Sequence, residues 1–254
     1  MHKKIIVANW KMNLELQDAK KLIANILKKL KKQNPHTTKI ILCVPYVYIN
    51  VVRQMISGIR NVFVGAQNCN EYNTGAFTGE ISCSMLKSCG VDYLIVGHSE
   101  RRTLYNESNK LAEKKILQSI TNNILPIFCC GETLEARKNK TYFNSVNTQI
   151  NESLFNLDKD QFSKIVIAYE PVWSIGTGMT AELKDIEEMH KFIRNKIRNK
   201  YGKLVSETTP ILYGGSVSSL NASNIFGLLN VNGSLVGGAS LNADHFMNIV
   251  KVLK

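Results

Sequence analysis

Short apolar runs recur along the chain at 5–9, 40–44, 62–67, 93–97, 125–129, 165–169, 211–214 and 234–237. They are rich in Ile and Val and show little polar alternation, the pattern of strands buried on both faces in a parallel sheet. Longer amphipathic stretches lie between them. Residues 18–32 place Ala19, Leu22, Ile23, Ile26, Leu27 and Leu30 at helical spacing with lysines between. Residues 183–200 repeat this with Ile186, Met189, His190, Ile193 and Ile197. The segments after Asn106, Glu132, Ser216 and Ser240 also read as helices. Alternating strands and helices demand a parallel sheet with helices outside. Eight such units in 254 residues fit a closed (β/α)8 barrel occupying the whole chain, 1–254, as a single domain. An open doubly wound sheet is the alternative, because strand order is not visible in a sequence.

Composition narrows the classes. The apolar fraction of 44% excludes a disordered chain. No apolar run reaches the roughly 18 residues of a membrane helix. The basic, briefly apolar start runs at once into Asn9-Trp10-Lys11 and reads as a first strand, not a signal peptide. With no export signal read at the start, the six cysteines suggest thiols in a reducing compartment, so the expected setting is cytoplasmic, and without a Cys-x-x-Cys pair a structural zinc site is not expected. The net charge of +12 fits nucleic acid, an anionic membrane, an anionic substrate or merely a lysine-rich surface.

Ligands of both candidate architectures bind beyond the C-terminal strand ends. Asn9-Trp10-Lys11 follows the first run, and Gly97-His98-Ser99-Glu100-Arg101-Arg102 the fourth. Glu170-Pro171-Val172-Trp173-Ser174-Ile175-Gly176-Thr177-Gly178 follows the sixth. Gly214-Gly215-Ser216 and Gly237-Gly238-Ala239-Ser240 follow the last two. Gly215-Ser216 and Gly237-Gly238 each read as ending a strand and opening a helix, where free N–H groups hold an anion. The plainer reading is two tight turns. Glu170, ending a buried strand, is expected to gain basicity from desolvation and to act as a general base, against the plainer reading of a surface ion pair. His98 before a short helix would face N–H groups that disfavour imidazolium, against the plainer reading of a satisfied core histidine. Lys11 could neutralise an anion or simply be solvated.

Taken together, these stretches resemble the triosephosphate isomerase family from residue 5 to near the C-terminus. The resemblance also rests on Gly65-Ala66-Gln67-Asn68, Gly75-Ala76-Phe77-Thr78-Gly79-Glu80, Cys130-Gly131-Glu132, Ala168-Tyr169-Glu170-Pro171-Val172-Trp173, Tyr213-Gly214-Gly215-Ser216 and Leu235-Val236-Gly237-Gly238-Ala239-Ser240-Leu241. It implies a TIM barrel that interconverts dihydroxyacetone phosphate and glyceraldehyde 3-phosphate through an enediolate. Glu170 would be the base, His98 the neutral electrophile, and Lys11 the cation that stabilises developing charge. Asn9 would hold Lys11 and the substrate, and Glu100 would sit beside Lys11. The pairing of a glutamate base with a neutral histidine is long established for this family. Phosphate would rest on N–H groups of Gly176, Ser216, Gly237 and Gly238. Pro171, Val172 and Trp173, with Met179, Thr180 and Ala181, would hinge a lid whose tip runs from Ser174 through Ile175, Gly176, Thr177 and Gly178, as this family also exemplifies. The resemblance implies no metal, no organic cofactor, and a homodimer in which Thr78 approaches the partner's Lys11.

Four positions depart from the family pattern. Met179 stands for a usual Lys, Ser174 for Ala, Leu183 for Pro, and Cys130 for an aliphatic residue. Three rival readings are weaker. Another phosphate-binding barrel enzyme would share the glycine turns. Gly176-Thr177-Gly178-Met179-Thr180-Ala181 fits a dinucleotide fingerprint but lacks a strand directly before it and an acid some 20 residues on. The densest charge, Lys28-Lys29 and Lys31-Lys32, forms one helix end without interleaved aromatics, so neither a nucleic-acid nor a membrane partner is expected.

Overall fold

The computed structural model describes residues 4–33, 38–174 and 180–253. Eight strands lie where the apolar runs place them: β1 Lys4–Asn9, β2 Thr38–Cys43, β3 Val62–Ala66, β4 Tyr93–Val96, β5 Leu125–Cys130, β6 Val166–Tyr169, β7 Ile211–Tyr213 and β8 Gly233–Val236. All neighbours pair in parallel, and β8 returns to β1, which closes the barrel. Closure removes the open-sheet alternative.

Each strand buries both faces. Ile5 and Val7 of β1, Ile41 and Cys43 of β2, Tyr93 and Ile95 of β4, Ile127 and Cys129 of β5, and Val166 and Ala168 of β6 pack together inside the barrel. The alternate residues, Ile6 and Ala8, Ile40 and Leu42, and Ile167 and Tyr169 among them, pack outward under the helices. This two-sided burial erases polar alternation from the sequence. Helix Leu16–Gln33 turns Ala19, Leu22, Ile23, Ile26 and Leu30 to that outer layer. Helix Leu183–Tyr201 buries Ile186, Met189, His190, Ile193 and Ile197 in the same way. Among the described residues no helix is long and apolar enough to cross a membrane.

The inside–outside period positions the chemistry. Two residues beyond Ala168, the inward side of its strand continues at Glu170. The same step takes Val7 to Asn9, Ile95 to Gly97 and Leu235 to Gly237. Strand periodicity thus delivers the residues at the strand ends to the barrel mouth.

One local expectation changes. Gly238 does open a one-turn helix, Gly238–Leu241. Ser216 does not open one, since the next helix is Ala222–Phe226. Ser216 is exposed and stands outside any helix, so its N–H is not the first of a helix and the anion-binding argument from a helix start does not apply to it.

Candidate active site

A cavity of about 330 Å³ opens at the C-terminal mouth of the barrel. Asn9, Lys11, His98, Glu170, Ser216, Gly237 and Gly238 line it, with Gly214 and Gly215. The predicted residues thus converge from five strand ends. Glu100 lines an adjoining cavity of about 260 Å³ with Lys11, Tyr46, Arg101 and Tyr105. Gly176 and the segment 175–179, with the lid residues Ile175, Thr177, Gly178 and Met179, lie outside the described residues. Val172–Ser174 forms a single 3-10 turn, and Ala181 is buried just before helix Leu183–Tyr201. Thr78 sits apart from the cavity on an exposed loop.

Lys11 adopts a left-handed backbone with φ +53°, uncommon for a side chain of this size. Neighbouring side chains fix that geometry. The Lys11 N–H donates to Asn9 Oδ1 at 3.1 Å, and Gln67 Nε2 donates to the Lys11 carbonyl at 3.0 Å. The ammonium reaches Glu100 Oε1 at 2.6 Å. A Cβ on Gly237 would lie only 3.5 Å from Lys11 Cε, so the stem of the lysine passes directly over this glycine turn.

His98 caps helix Ser99–Leu104, its Nδ1 accepting the Glu100 N–H at 3.2 Å. That bond occupies the Nδ1 lone pair, so the proton of the neutral ring belongs on Nε2. Nε2 lies 3.0 Å from Glu170 Oε1. Gly97, the residue before it, has φ +72°, and an added Cβ would press on the Arg102 guanidinium and the Cys129 carbonyl. A side chain there would displace the strand end that carries His98.

Glu170 is 2% exposed. Burial raises its carboxyl, as expected, but other groups outweigh it. The nearby His98 ring, by charge and hydrogen bond, and the Ser99 N–H, donating to Oε2 at 2.9 Å, hold it below its ordinary value. The expectation that desolvation would dominate is therefore corrected for the resting site. Burial lowers His98 in turn, and the Glu170 and Glu100 carboxylates overcome that and raise it. The cap bond to Nδ1 opposes protonation, while Glu170 favours it. The arrangement is a tight carboxylate–imidazole contact across the cavity.

A further cluster holds the base of the predicted lid. Glu132 is fully buried and accepts on one oxygen from Trp173 Nε1 at 2.8 Å, Tyr169 Oη at 3.0 Å and Arg137 Nε at 2.8 Å. The Arg137 guanidinium also lies over the Trp173 ring. In the sequence Glu132 figures only within the Cys130-Gly131-Glu132 stretch, without a role, and Arg137 does not figure at all. The available signal was an acidic residue just past the fifth strand. Gln67 and the Ser99 N–H were likewise missed, because their roles are backbone contacts. Burial pushes Cys129 up and Cys130 up to about 12, as expected of packed thiols.

Comparison with known proteins bears on this geometry. The family model described as Triosephosphate isomerase matches residues 4–253. The chain is 44% identical over 251 residues to the triosephosphate isomerase of Cytophaga hutchinsonii, covering 99% of both chains. It is 41% identical over 251 residues to that of Porphyromonas gingivalis, again covering 99% of both. Identity to the protein of that name from Phocaeicola vulgatus is 41% over 254 residues, the full length of both.

Proposed function

From the premise that this chain belongs to the triosephosphate isomerase family, we propose how its own residues interconvert dihydroxyacetone phosphate and D-glyceraldehyde 3-phosphate. The observation that carries the proposal is one cavity in which Glu170 faces His98 at 3.0 Å beside Lys11 and two glycine turns. The substrate phosphate rests on backbone N–H groups of Ser216, Gly237 and Gly238, with Gly176 contributing from the lid. Its carbonyl lies towards Lys11 and His98. Glu170 removes a proton from C1, and the electron pair moves onto the carbonyl oxygen. The Lys11 ammonium and the His98 Nε2–H stabilise that oxygen, each donor contributing about 3–4 kcal/mol in a dry site. His98 then shuttles protons between the two oxygens while Glu170 returns its proton to C2. Asn9 orients Lys11, and Glu100 balances its charge.

The resting contacts give this scheme a trigger. A substrate placed between Glu170 and His98 parts them, and Glu170 loses the partners that hold its acidity high. Burial then dominates, and the carboxylate becomes the stronger base that carbon acids require. Closing the lid over 171–181 excludes water and protects the enediolate from side reactions.

The whole chain serves as one catalytic domain in this proposal. It works as a homodimer in the cytoplasm, and its six free thiols suit a reducing compartment. Support for the dimer comes from exposed apolar groups around the second cavity, such as Met12 and Tyr105, and from Tyr72 and Phe77, whose rings stack on the protruding loop that carries Thr78. A coupled isomerase assay with Glu170→Gln beside the native chain tests the proposal. The variant should bind a phosphate-bearing enediolate analogue yet lose about 10³-fold or more in turnover. Native-like turnover in Glu170→Gln would remove it as the base.

A further inference from the structure

Strand β4 ends at Val96, whose partner on β5 is Phe128, the last pair between these two strands. Beyond that pair one side chain takes over from the backbone ladder. Arg102 lies on helix Ser99–Leu104, one turn past the His98 cap. Side chains on a helix lean towards its N-terminus, so the guanidinium returns over the strand ends. Its Nε donates to the Gly97 carbonyl at 2.8 Å, and its Nη2 donates to the Cys129 carbonyl at 3.2 Å. Nη1 donates to Asn109 Oδ1 at 2.6 Å, and Asn109 Nδ2 donates in turn to Glu152 Oε2 at 2.8 Å. The guanidinium also lies over the Phe128 ring. Resting on the assignment of His98 and Glu170 to proton transfer, we propose that Arg102 is a positioning residue for that reaction, a clamp that fixes the His98 ring against the Glu170 carboxylate.

Both bridged carbonyls stand next to the chemistry. Gly97 precedes His98 directly. Its N–H donates to Oε1 of the buried Glu107 at 2.8 Å, so charged side chains hold residue 97 by both of its backbone polar groups. Cys129 pairs with Ala168 on β6, and the Cys130 carbonyl accepts the Glu170 N–H at 2.8 Å. The guanidinium therefore ties the backbone that carries the ring to the backbone on which the carboxylate hangs. Across that tie His98 Nε2 stands 3.0 Å from Glu170 Oε1. Gly97 is the complement of the clamp. Its φ is +72°, and a Cβ there would lie 2.8 Å from Arg102 Nη2, so the guanidinium fills the space that a side chain at 97 would take. Arg102 lines neither cavity at the barrel mouth, so it acts through the residues it holds. A lysine at 102 would keep the charge but lose the planar fork that spans the two carbonyls.

The test compares Arg102→Lys and Arg102→Ala with the native full chain. Misplacing the ring against the carboxylate should cost each variant about 10–10²-fold in kcat, while KM stays within about threefold because the phosphate turns follow other strands. Millimolar guanidinium ion should restore Arg102→Ala by about tenfold, with saturation, and should leave Arg102→Lys unchanged. In a His98→Asn background Arg102→Lys should cost no more than about threefold further, since the ring it positions is gone. A staple that only supports the fold would multiply the two losses in full. The ring nitrogen resonances of His98 in NMR spectra, assigned with His98→Asn, should move in both variants and report the clamp without turnover. A folded Arg102→Lys chain with kcat within about threefold of native overturns the proposal. So do losses that multiply in full, an unmoved ring resonance, or an Arg102→Lys chain that no longer folds. A native chain without turnover defeats the isomerase reading instead, and the ring resonances then still decide the clamp.

Discussion

Gly131→Ala is the sharpest perturbation of the base that does not touch its carboxylate. Gly131 follows β5 directly, beside the end of β6. Its N–H donates to Gln149 Oε1 at 2.8 Å, and its carbonyl accepts from Gln149 Nε2 at 2.9 Å. Next to it the Glu170 N–H donates to the Cys130 carbonyl at 2.8 Å. A Cβ on residue 131 would lie 1.6 Å from the Glu170 carbonyl oxygen and 2.5 Å from its carbonyl carbon. Real Cβ atoms essentially never come within 3.0 Å, so the two strand ends must part by about 1.4 Å (3.0 − 1.6). Gln149 holds residue 131 from both sides, and Pro171 stiffens the chain beyond Glu170. Much of the displacement therefore falls on the backbone of the base.

The carboxylate works against contacts of 3.0 Å to His98 and 2.9 Å to Ser99. Misplacing a catalytic group by about 1 Å costs on the order of 10²-fold in rate, or about 2.7 kcal/mol of transition-state stabilisation. Overpacking should lower stability by about 1–3 kcal/mol, which leaves the chain folded. Steady-state kinetics of Gly131→Ala should accordingly show kcat down about 10²-fold or more. Inorganic phosphate should bind within about twofold of native, because the phosphate turns do not move. Gly214→Ala serves as the graded control. Its Cβ would meet Glu170 Cγ at 2.8 Å, a side-chain atom that needs to yield only about 0.2 Å (3.0 − 2.8), so its loss should stay under about tenfold. A folded Gly131→Ala protein with kcat within threefold of native would refute the reasoning. So would a larger loss in Gly214→Ala than in Gly131→Ala.

Lys11→Met should lower kcat/KM by about 10²–10³-fold, with substrate binding and turnover weakened together. Its melting temperature should barely change, since the Lys11–Glu100 pair is partly exposed, and an undiminished kcat/KM would take Lys11 out of the site. His190 is fully buried, and burial lowers its ring from 6.5 to about 3. Below pH 6.5 the unfolded chain takes up a proton that the folded chain refuses, so stability falls with pH by up to about 1.4 kcal/mol per unit until pH 3. Denaturant titrations at several pH values should show a shallower slope in His190→Leu over that window, and parallel slopes would rule the assignment out. Sedimentation at micromolar concentration should find a dimer, whereas a fully active monomer would defeat the role given to Thr78 and its loop.

The barrel was legible because its strands bury both faces, which leaves apolar runs that no surface strand tolerates. The helices were legible because each turns one stripe inward, as Ala19, Ile23, Ile26 and Leu30 do. Site residues at strand ends followed from the same periodicity. Contacts between residues remote in sequence were not legible. Glu132 gathers Tyr169, the last residue of β6, and Trp173 just beyond it, and nothing in Cys130-Gly131-Glu132 announces that. Ser216 was placed at a helix start that the chain reaches only at Ala222. Glu170 is the most instructive case. Its place on a buried strand correctly implied desolvation, yet the Ser99 N–H and the His98 ring overrule burial in the resting site. Of the two, only His98 faces Glu170 across the cavity, so in the proposed scheme a substrate that enters between them removes that contact and the burial argument then describes Glu170. On this reasoning the low basicity of the free carboxylate belongs to the mechanism. It keeps Glu170 ionised and ready at neutral pH, and the binding of substrate itself raises its appetite for a proton.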